Sequence, residues 1–444
     1  MTGFQLDLGV TSWGRVLRLL HQVARPAFRD EIETQIIAAA AEPRGVLGSG
    51  LRRSYGDSGL NADGHLIDMT ALDRLIAFDP KTGRLTAEAG ISLKEILSFA
   101  IPRGFFLPVT PGTRNVTLAG AIANDVHGKN HHGAGTFGRF VRELTLLRSD
   151  GSIRALSADD ETGLFAATIG GLGLTGIIAT AQIELIPISS AMMDAQTVPF
   201  GDLDEFFAVA AESEPSFDYT VAWVDCLAKG TALGRGLFSR GRHAAQGPLA
   251  VHEPGTGRNL PTDLPGFALN RLSIGAFNAL YYRNGRRHVD LASVSYLPFF
   301  YPLDAIGNWN RLYGRAGMYQ YQSVIPPTVA RDATAEMLGQ IAKAGEGSFL
   351  AVLKTFGNLP SPGLLSFPME GTTLALDFPN RGTETLALLA RLDGVVKEAR
   401  GRLYPAKDGR LPPEMFVSGY PGLDRFRSFV DPGFSSSFWR RINA

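Results

Sequence analysis

A single cysteine, Cys226, stands among 444 residues. One thiol excludes an intrachain disulfide and a cysteine metal cluster. It follows the apolar run Tyr219-Thr220-Val221-Ala222-Trp223-Val224-Asp225, a strand pattern, and reads as a packed strand-end residue. Net charge is also missing: 43 Lys and Arg balance 43 Asp and Glu. A nucleic-acid binder needs a basic stripe, so nucleic acid is not expected as a partner. Of the pairs Arg52-Arg53 and Arg440-Arg441, the second reads as solvated or local charge. No run of about 18 apolar residues occurs, so no membrane-spanning helix is expected. The N-terminus lacks a basic leader, an apolar block and a small-residue cleavage site, so no signal peptide is expected. The expected compartment is the cytoplasm, with peripheral membrane contact left open.

Glycine, by contrast, is abundant at 51 residues, and it is concentrated in loops. The stretch Ala119 to Gly138, AGAIANDVHGKNHHGAGTFG, reads as too glycine-rich for a helix or strand and too polar for core. Such segments sit where backbone approaches a ligand closely. Two further loops share the character, Gly48 to Asp57 and Gly170 to Gly176. Three glycine-rich loops between apolar runs point to a large phosphate-bearing cofactor held mainly by backbone. The run Gly171-Leu172-Gly173-Leu174-Thr175-Gly176 matches a dinucleotide pattern. Its context is wrong, because a Rossmann turn runs strand to helix. Here a helix-like run precedes and a strand follows, so a nicotinamide Rossmann site is rejected. The loop at 48–57 follows a strand with no helix after it. A nest of backbone N–H groups can still hold a pyrophosphate there; a hairpin with ordinary turn glycines is the alternative.

The length fits two or three domains with ample core. Residues 31–41 read as a helix, 44–47 as a strand, and His65–Met69 and Leu85–Ala89 as strands. Ser92 and Glu95 form a capping-box pattern before Leu93, Ile96, Leu97 and Ala100, with Gly104 beyond the end. A hairpin is expected over 140–156, a short helix over 161–168 and a strand over Ile177–Leu185. From about 191, strand-like runs alternate with long irregular stretches. Residues 240–270, rich in Gly, Pro and His, read as a mobile loop or flap.

Several side chains are candidates for chemistry. His127, His131 and His132, with Asp125 in support, raise a metal reading. Adjacent His131 and His132 cannot easily aim at one ion, so no metal is expected. His127 then faces the cofactor or is satisfied by loop backbone. Gln320 and Gln322 flank Tyr321 in a strand and share one face. That face is either a substrate pocket or solvated. Lys354 shares a face with Leu350, Val352 and Phe356, and either snorkels or points into a site. Lys407, in Tyr404-Pro405-Ala406-Lys407-Asp408, is by residue type a surface loop lysine.

Taken together, the motifs RSYGD (53–57), PGT (111–113), GAIANDVHGKNHH (120–132), GLTGII (173–178), WNR (309–311), QYQ (320–322), LSFP (365–368), DFP (377–379) and LYPAKD (403–408) resemble the vanillyl-alcohol-oxidase-type (PCMH-type) FAD flavoenzymes. Within them the chain resembles the polyprenyl-phosphoryl-ribose 2′-oxidase branch. The motifs span nearly the whole chain in the family's order. The resemblance implies an α+β, two-domain PCMH-type fold. An FAD domain would cover 1–190, an antiparallel-sheet substrate domain 191–401, and 402–444 would return to the FAD domain. It implies FAD contacts at Gly48, Ser49, Gly50, Leu51, Arg52, Arg53, Ser54, Tyr55, Gly56, Asp57, Ser58, Gly112, Thr117, Leu118, Ala119, Gly120, Asn124, Asp125, Val126, His127, Ile178 and Tyr404. Arg53 stands where covalent relatives carry His, so FAD is expected to be non-covalent.

The resemblance also makes Lys407 the essential active-site lysine, with His127 and Tyr55 beside it. Gln320, Gln322, Lys354, Thr373 and Asp377 would hold the sugar and its phosphate. The implied reaction takes a lipid-linked ribose phosphate to its 2′-keto form by hydride transfer to flavin N5. A separate NAD(P)H-dependent keto-sugar reductase would complete an epimerisation. A soluble sugar or alditol oxidase using oxygen, and a flavin-binding non-enzyme, are the alternatives. There are departures: Thr373 and Ala375 replace an Asn and a Cys of mycobacterial members, and Phe300-Tyr301 replaces their Tyr-His pair. The C-terminal tail is about two residues shorter. The aromatic run Leu297 to Tyr301 reads as buried packing, with an apolar lipid entrance as the second reading.

Overall fold

The computed structural model describes residues 3–250, 258–287 and 289–444. It mixes α and β structure around several sheets. The N-terminal part begins with a four-stranded sheet. Its strands His21–Ala24 and Val46–Ser49 both pair in parallel with His65–Asp68. The helix Asp30–Ala40 crosses between them and buries Ile32, Ile36 and Ala39. A second, five-stranded sheet runs Leu75–Asp79, Arg84–Glu88, Ile177–Glu184, Val141–Leu147, Ile153–Ser157 and is antiparallel throughout. The helix Leu93–Ala100 belongs to this sheet's core. Its capping box forms as expected: Ser92 Oγ accepts from the Glu95 N–H, and Glu95 accepts from the Ser92 N–H. Gly104, left-handed at φ 80°, ends the turn that follows.

Eight further strands join one antiparallel sheet. In order they are Ala292–Ser295, Met192–Phe200, Gly236–His243, Tyr219–Val224, Ala351–Phe356, Gly371–Pro379, Met318–Ile325 and Arg402–Leu403. Its pleat sorts residues by face. Tyr321, Leu353, Leu374 and Leu376 pack on Phe206, Met337, Ile341 and Leu389 from the helices Leu203–Ser213, Ala330–Ala344 and Thr383–Glu398. Gln320, Gln322, Val352, Lys354, Thr373 and Ala375 project to the other side, toward a cavity. Thus the stretches between these strands, expected to be irregular, are largely helical. The pattern was present: Ala330, Ala333, Thr334, Met337, Leu338 and Ile341 repeat at helical spacing.

Two expectations need correction, and a third falls partly outside the described residues. The Ala119–Gly138 stretch is neither all loop nor all polar surface. It contributes most of the helix Leu118–Ala123, capped by Thr117, and a helical turn at His131–Ala134. Asp125, Asn130, His131 and Thr136 are buried. Alanine and isoleucine between the glycines suffice for a helix once Thr117 Oγ1 accepts from the Gly120 N–H. Second, Arg440-Arg441 is not solvated. Arg441 holds Asp57 through two bonds of 2.8 and 2.9 Å, and Arg440 donates to the Ala62 carbonyl at 3.1 Å. These contacts seat the last helix, Ser437–Ile442, on the first glycine loop. Third, the flap expected over 240–270 falls partly on residues 251–257, which lie outside the described residues. Around them, Gly236–His243 is sheet and Arg258–Asn259 pairs with Ile306–Gly307.

The tail leaves the large sheet at Leu403 and crosses back to the N-terminal part. The Ala406 carbonyl accepts from the Tyr55 N–H at 2.9 Å, and the Gly433 carbonyl from the Val46 N–H at 2.9 Å. Gly56 lies against the Asp408-Gly409 backbone, where any Cβ would collide. Cys226 is buried as a free thiol, as expected of a packed strand-end residue.

Candidate active site

The tail and the large sheet close a cavity of about 1000 Å³ against the glycine loops. That lies at the upper end of the roughly 300–1,000 Å³ usual for ligand sites. One half is walled by backbone. Residues 47–55, the 110–120 segment and the Leu172–Ile178 turn line it. The amides of Leu51, Arg52, Arg53 and Ser54 have no protein acceptor among the described residues. Arg52 takes positive φ (53°), which helps turn these N–H groups inward as a nest. Its guanidinium is fixed by Asp68 at 2.9 Å, and Arg53 lies 4.0 Å over the Trp13 ring while donating to the Asn115 carbonyl. Thus both arginines brace the loop. Asp304 braces the facing one, accepting from Thr113 Oγ1 and the Arg114 N–H.

The other half is walled by side chains of the sheet and the tail. Lys407 belongs here; its Nζ stands 4.3 Å from the Tyr55 ring centroid. A surface lysine by residue type is therefore partly buried, because the 404–408 turn threads between sheet and loop. Beside it, the Gln322 amide lies 3.0 Å from His127 Nε2, and Lys354 Nζ lies 3.1 Å from His127 Nδ1. A neutral imidazole carries one N–H. With Lys354 donating to Nδ1, the ring donates from Nε2 and Gln322 turns its oxygen to it. Thr373 Oγ1 is 3.2 Å from the same amide. Behind Gln320, the Asp377 carboxylate accepts its amide at 2.6 Å.

Burial sets the protonation of this group. Burial holds His127 well below its ordinary value, and Lys354, His131 and Lys407 push the same way, so the ring is neutral. Burial brings Lys354 down to about 7, with Lys129 and Lys407 adding repulsion. Burial lowers Lys129 to about 8. Lys407 is lowered by burial, with Asp377 opposing, and Asp377 is raised by burial, with Gln320 and Lys407 opposing. Burial likewise pushes the Tyr55 phenol well up, so it stays protonated. The result is a pocket with an excess of cationic groups, suited to an anionic ligand.

Most residues expected at the site meet in this cavity. Gly48 to Tyr55, Ser58, Gly112, Thr117, Ala119, Gly120, Asn124, Val126, His127, Ile178 and Tyr404 line it, as do Lys407, Gln320, Gln322, Lys354 and Thr373. Gly56, Asp57, Leu118 and Asp125 do not. Gly56 packs on the tail, Asp57 is taken by Arg441, and Leu118 is core. Asp125 turns away to accept from the Gly138 N–H and Ser366 Oγ. Asp377 stands one hydrogen bond behind the wall. His131 stacks on Phe356 at 4.2 Å, and His132 contacts the Phe217 carbonyl at 3.1 Å, so the histidines diverge. Among the described residues no cluster suited to a metal ion occurs. Phe300 and Tyr301 are buried, as the packing reading expects, and Phe299 and Phe300 also line the cavity. Sequence reasoning missed Lys129, which donates to the Phe299 carbonyl over the Phe299 ring. Its signal was position: it lies two residues after His127, in the same motif.

Residues 21–157 match an FAD-binding domain family. The chain is 39% identical over 97% of its length to the decaprenylphosphoryl-β-D-ribose oxidase of Mycolicibacterium smegmatis, covering 96% of that protein. The chain belongs to the decaprenylphosphoryl-β-D-ribose oxidase family. Like that family it is an FAD-dependent oxidoreductase. An uncharacterised Streptomyces coelicolor protein from the mprA 5′ region is 35% identical over 79% of the chain and all of its own length. The L-gulono-1,4-lactone dehydrogenase of Mycobacterium tuberculosis is 28% identical over 37% of the chain and 38% of its own. The oxidase match therefore extends over the sheet that carries Gln320 and Lys354 and over the tail that carries Lys407, whereas the lactone enzyme matches little more than a third of the chain. Among the described residues no helix is long and apolar enough to cross a membrane.

Proposed function

We propose that this chain oxidises the C2′ hydroxyl of a polyprenyl-phosphoryl-β-D-ribose to the 2′-keto sugar, with non-covalent FAD as the acceptor. The observation that carries this reading is the group of three partly buried lysines, Lys129, Lys354 and Lys407, facing an otherwise largely apolar cavity. A sugar phosphate on an apolar chain needs both features. The backbone half fits FAD: the four open amides from Leu51 to Ser54 suit its pyrophosphate. His127 is the one histidine among the described lining residues, and both its ring nitrogens are engaged, which favours non-covalent binding. We read the chain as a PCMH-type FAD domain over 1–190, a substrate domain over 191–401 and a returning tail.

FAD, held by the backbone half of the cavity, would supply the two-electron acceptor for the C2′ hydride. The protein's own work is placement and proton control. Lys407, lowered by burial, takes the hydroxyl proton at Nζ and becomes the cation beside the negative charge the reaction creates. Gln322 and Lys354 fix the neutral His127 ring, which presents a rigid wall to the sugar. Lys129 and Lys354 pair with the phosphate, and the Tyr55 phenol contacts the ring hydroxyls. The sheet excludes water from all of them. Atoms balance: the alcohol loses one hydride and one proton, and a ketone remains. A separate NAD(P)H-dependent keto-sugar reductase would return hydride to the opposite face and complete the epimerisation.

The test is anaerobic mixing of FAD-loaded protein with a polyprenyl-phosphoryl ribose, with free pentoses and alditols in parallel. Bleaching of the flavin band by the lipid-linked ribose alone is the expected result. Bleaching by the free sugars would move the chain to soluble sugar oxidation.

A further inference from the structure

The helix Arg271–Gly285 buries only Ile274 and Asn278. Asn278 donates to Asp225 at 2.9 Å, and Tyr282 donates to the Phe200 carbonyl at 3.2 Å. Among the described residues the opposite face has no cover. Leu272, Ala276, Leu280 and Arg283, at i, i+4, i+8 and i+11, fall on it. Leu272 is 83% exposed and Leu280 66%. The flanks continue the pattern, with Phe267 79% and Leu291 56% exposed. Scattered exposed leucines are ordinary, but consecutive ones on one helix face are not.

Charge distinguishes this face from a simple protein contact. Residues 266–289 carry Arg271, Arg283, Arg286 and Arg287 with no Asp or Glu, in a chain whose net charge is zero. An exposed apolar face flanked by arginines suits the boundary between acyl chains and anionic headgroups. Arginine stems lie along acyl chains while their guanidinium groups meet anionic headgroups. The same helix end reaches the active-site cavity, since Tyr281, Asn284 and Arg287 line it.

We propose that this face docks on an anionic lipid bilayer and opens the cavity mouth toward the membrane, so that a lipid-linked substrate enters without crossing water. The docking stands on the exposed face alone; the delivery of substrate rests on the reading under Proposed function.

The experiment is vesicle flotation of the full-length, FAD-loaded protein. One set of vesicles mixes phosphatidylglycerol with phosphatidylcholine, and the other is phosphatidylcholine alone. The wild type should float with the anionic set, and Leu272→Glu/Leu280→Glu should lower that binding about tenfold or more. Arg283→Glu should weaken binding to the anionic set only. The double variant should keep its FAD and its rate of flavin bleaching by a short-chain, water-soluble phosphoryl ribose. Failure of the wild type to float, or equal flotation of the double variant, overturns the proposal. So does a loss of self-association in the double variant without loss of flotation, which would make the face a protein interface. If flotation behaves as expected while no phosphoryl ribose bleaches the flavin, docking stands and the substrate reading falls.

Discussion

The two halves of the cavity are built from different materials. Around Leu51–Ser54 and Leu172–Ile178 the wall is backbone, and the nearby side chains brace it from behind. Around Lys407, His127 and Gln322 the wall is side chains, carried by the tail, the loop after Leu118–Ala123 and the large sheet. Backbone amides cannot be substituted, so the first half can be altered only through its braces. The second can be retuned one residue at a time. This is a physical reason why a cofactor site can persist while substrates diverge. Thr373 and Ala375, where the resemblance implies other residues in mycobacterial members, both line the side-chain half.

Breaking the side-chain half should give the largest effect. Lys407→Ala should slow anaerobic flavin reduction by about 10³-fold or more, because base and charge are lost together. FAD content, read from the absorbance ratio, should stay unchanged. Lys407→Arg sharpens the point: it keeps a charge but cannot give up a proton at working pH, so the loss should remain large. Full activity in the arginine variant would reassign Lys407 to charge stabilisation alone.

Breaking a brace of the backbone half should give the converse pattern. Asp57→Ala leaves Arg441 without its paired carboxylate and should cost about 1–3 kcal/mol of stability. Thermal unfolding and FAD retention would report it. Protein that keeps FAD should reduce it at the wild-type rate.

A smaller effect is expected at the phosphate end. Lys354→Met should raise KM for the phosphorylated substrate about 10–100-fold, with a lesser fall in kcat. It also removes the cation at His127 Nδ1, so the His127 pKa should rise, which NMR of the ring can follow.

The pH profile is the gentlest probe. A lysine lowered by burial is protonated below its folded pKa and neutral above it. Flavin reduction should therefore rise with pH, through a range well below that of an ordinary lysine. Tracking the profile in Asp377→Asn should move the rise further down, because the carboxylate supports the charged form.

Much of this architecture was legible where the signal is local. The Ser92 capping box, the hairpin over 140–156 and the alternation in Gln320-Tyr321-Gln322 depend on neighbours in sequence, and the structure follows them. Lys407 and Arg440-Arg441 were misread from residue type, because their burial depends on where the tail is threaded. Asp57 and Asp125 sit inside correct motifs but face away from the cavity, and motif membership carries no side-chain direction. The Arg271–Gly285 helix carries little periodic signal, since apolar residues lie on several sides of it, so only the fold shows which side is covered.

The central claim is that the hydride leaves C2′. It is tested most directly by anaerobic single-turnover reduction with a polyprenyl-phosphoryl ribose deuterated at C2′, set against one deuterated at C3′. The account predicts several-fold slower flavin bleaching with the C2′ label and no change with the C3′ label. Slowing confined to the C3′ label, or a substrate that leaves the flavin oxidised, would contradict it.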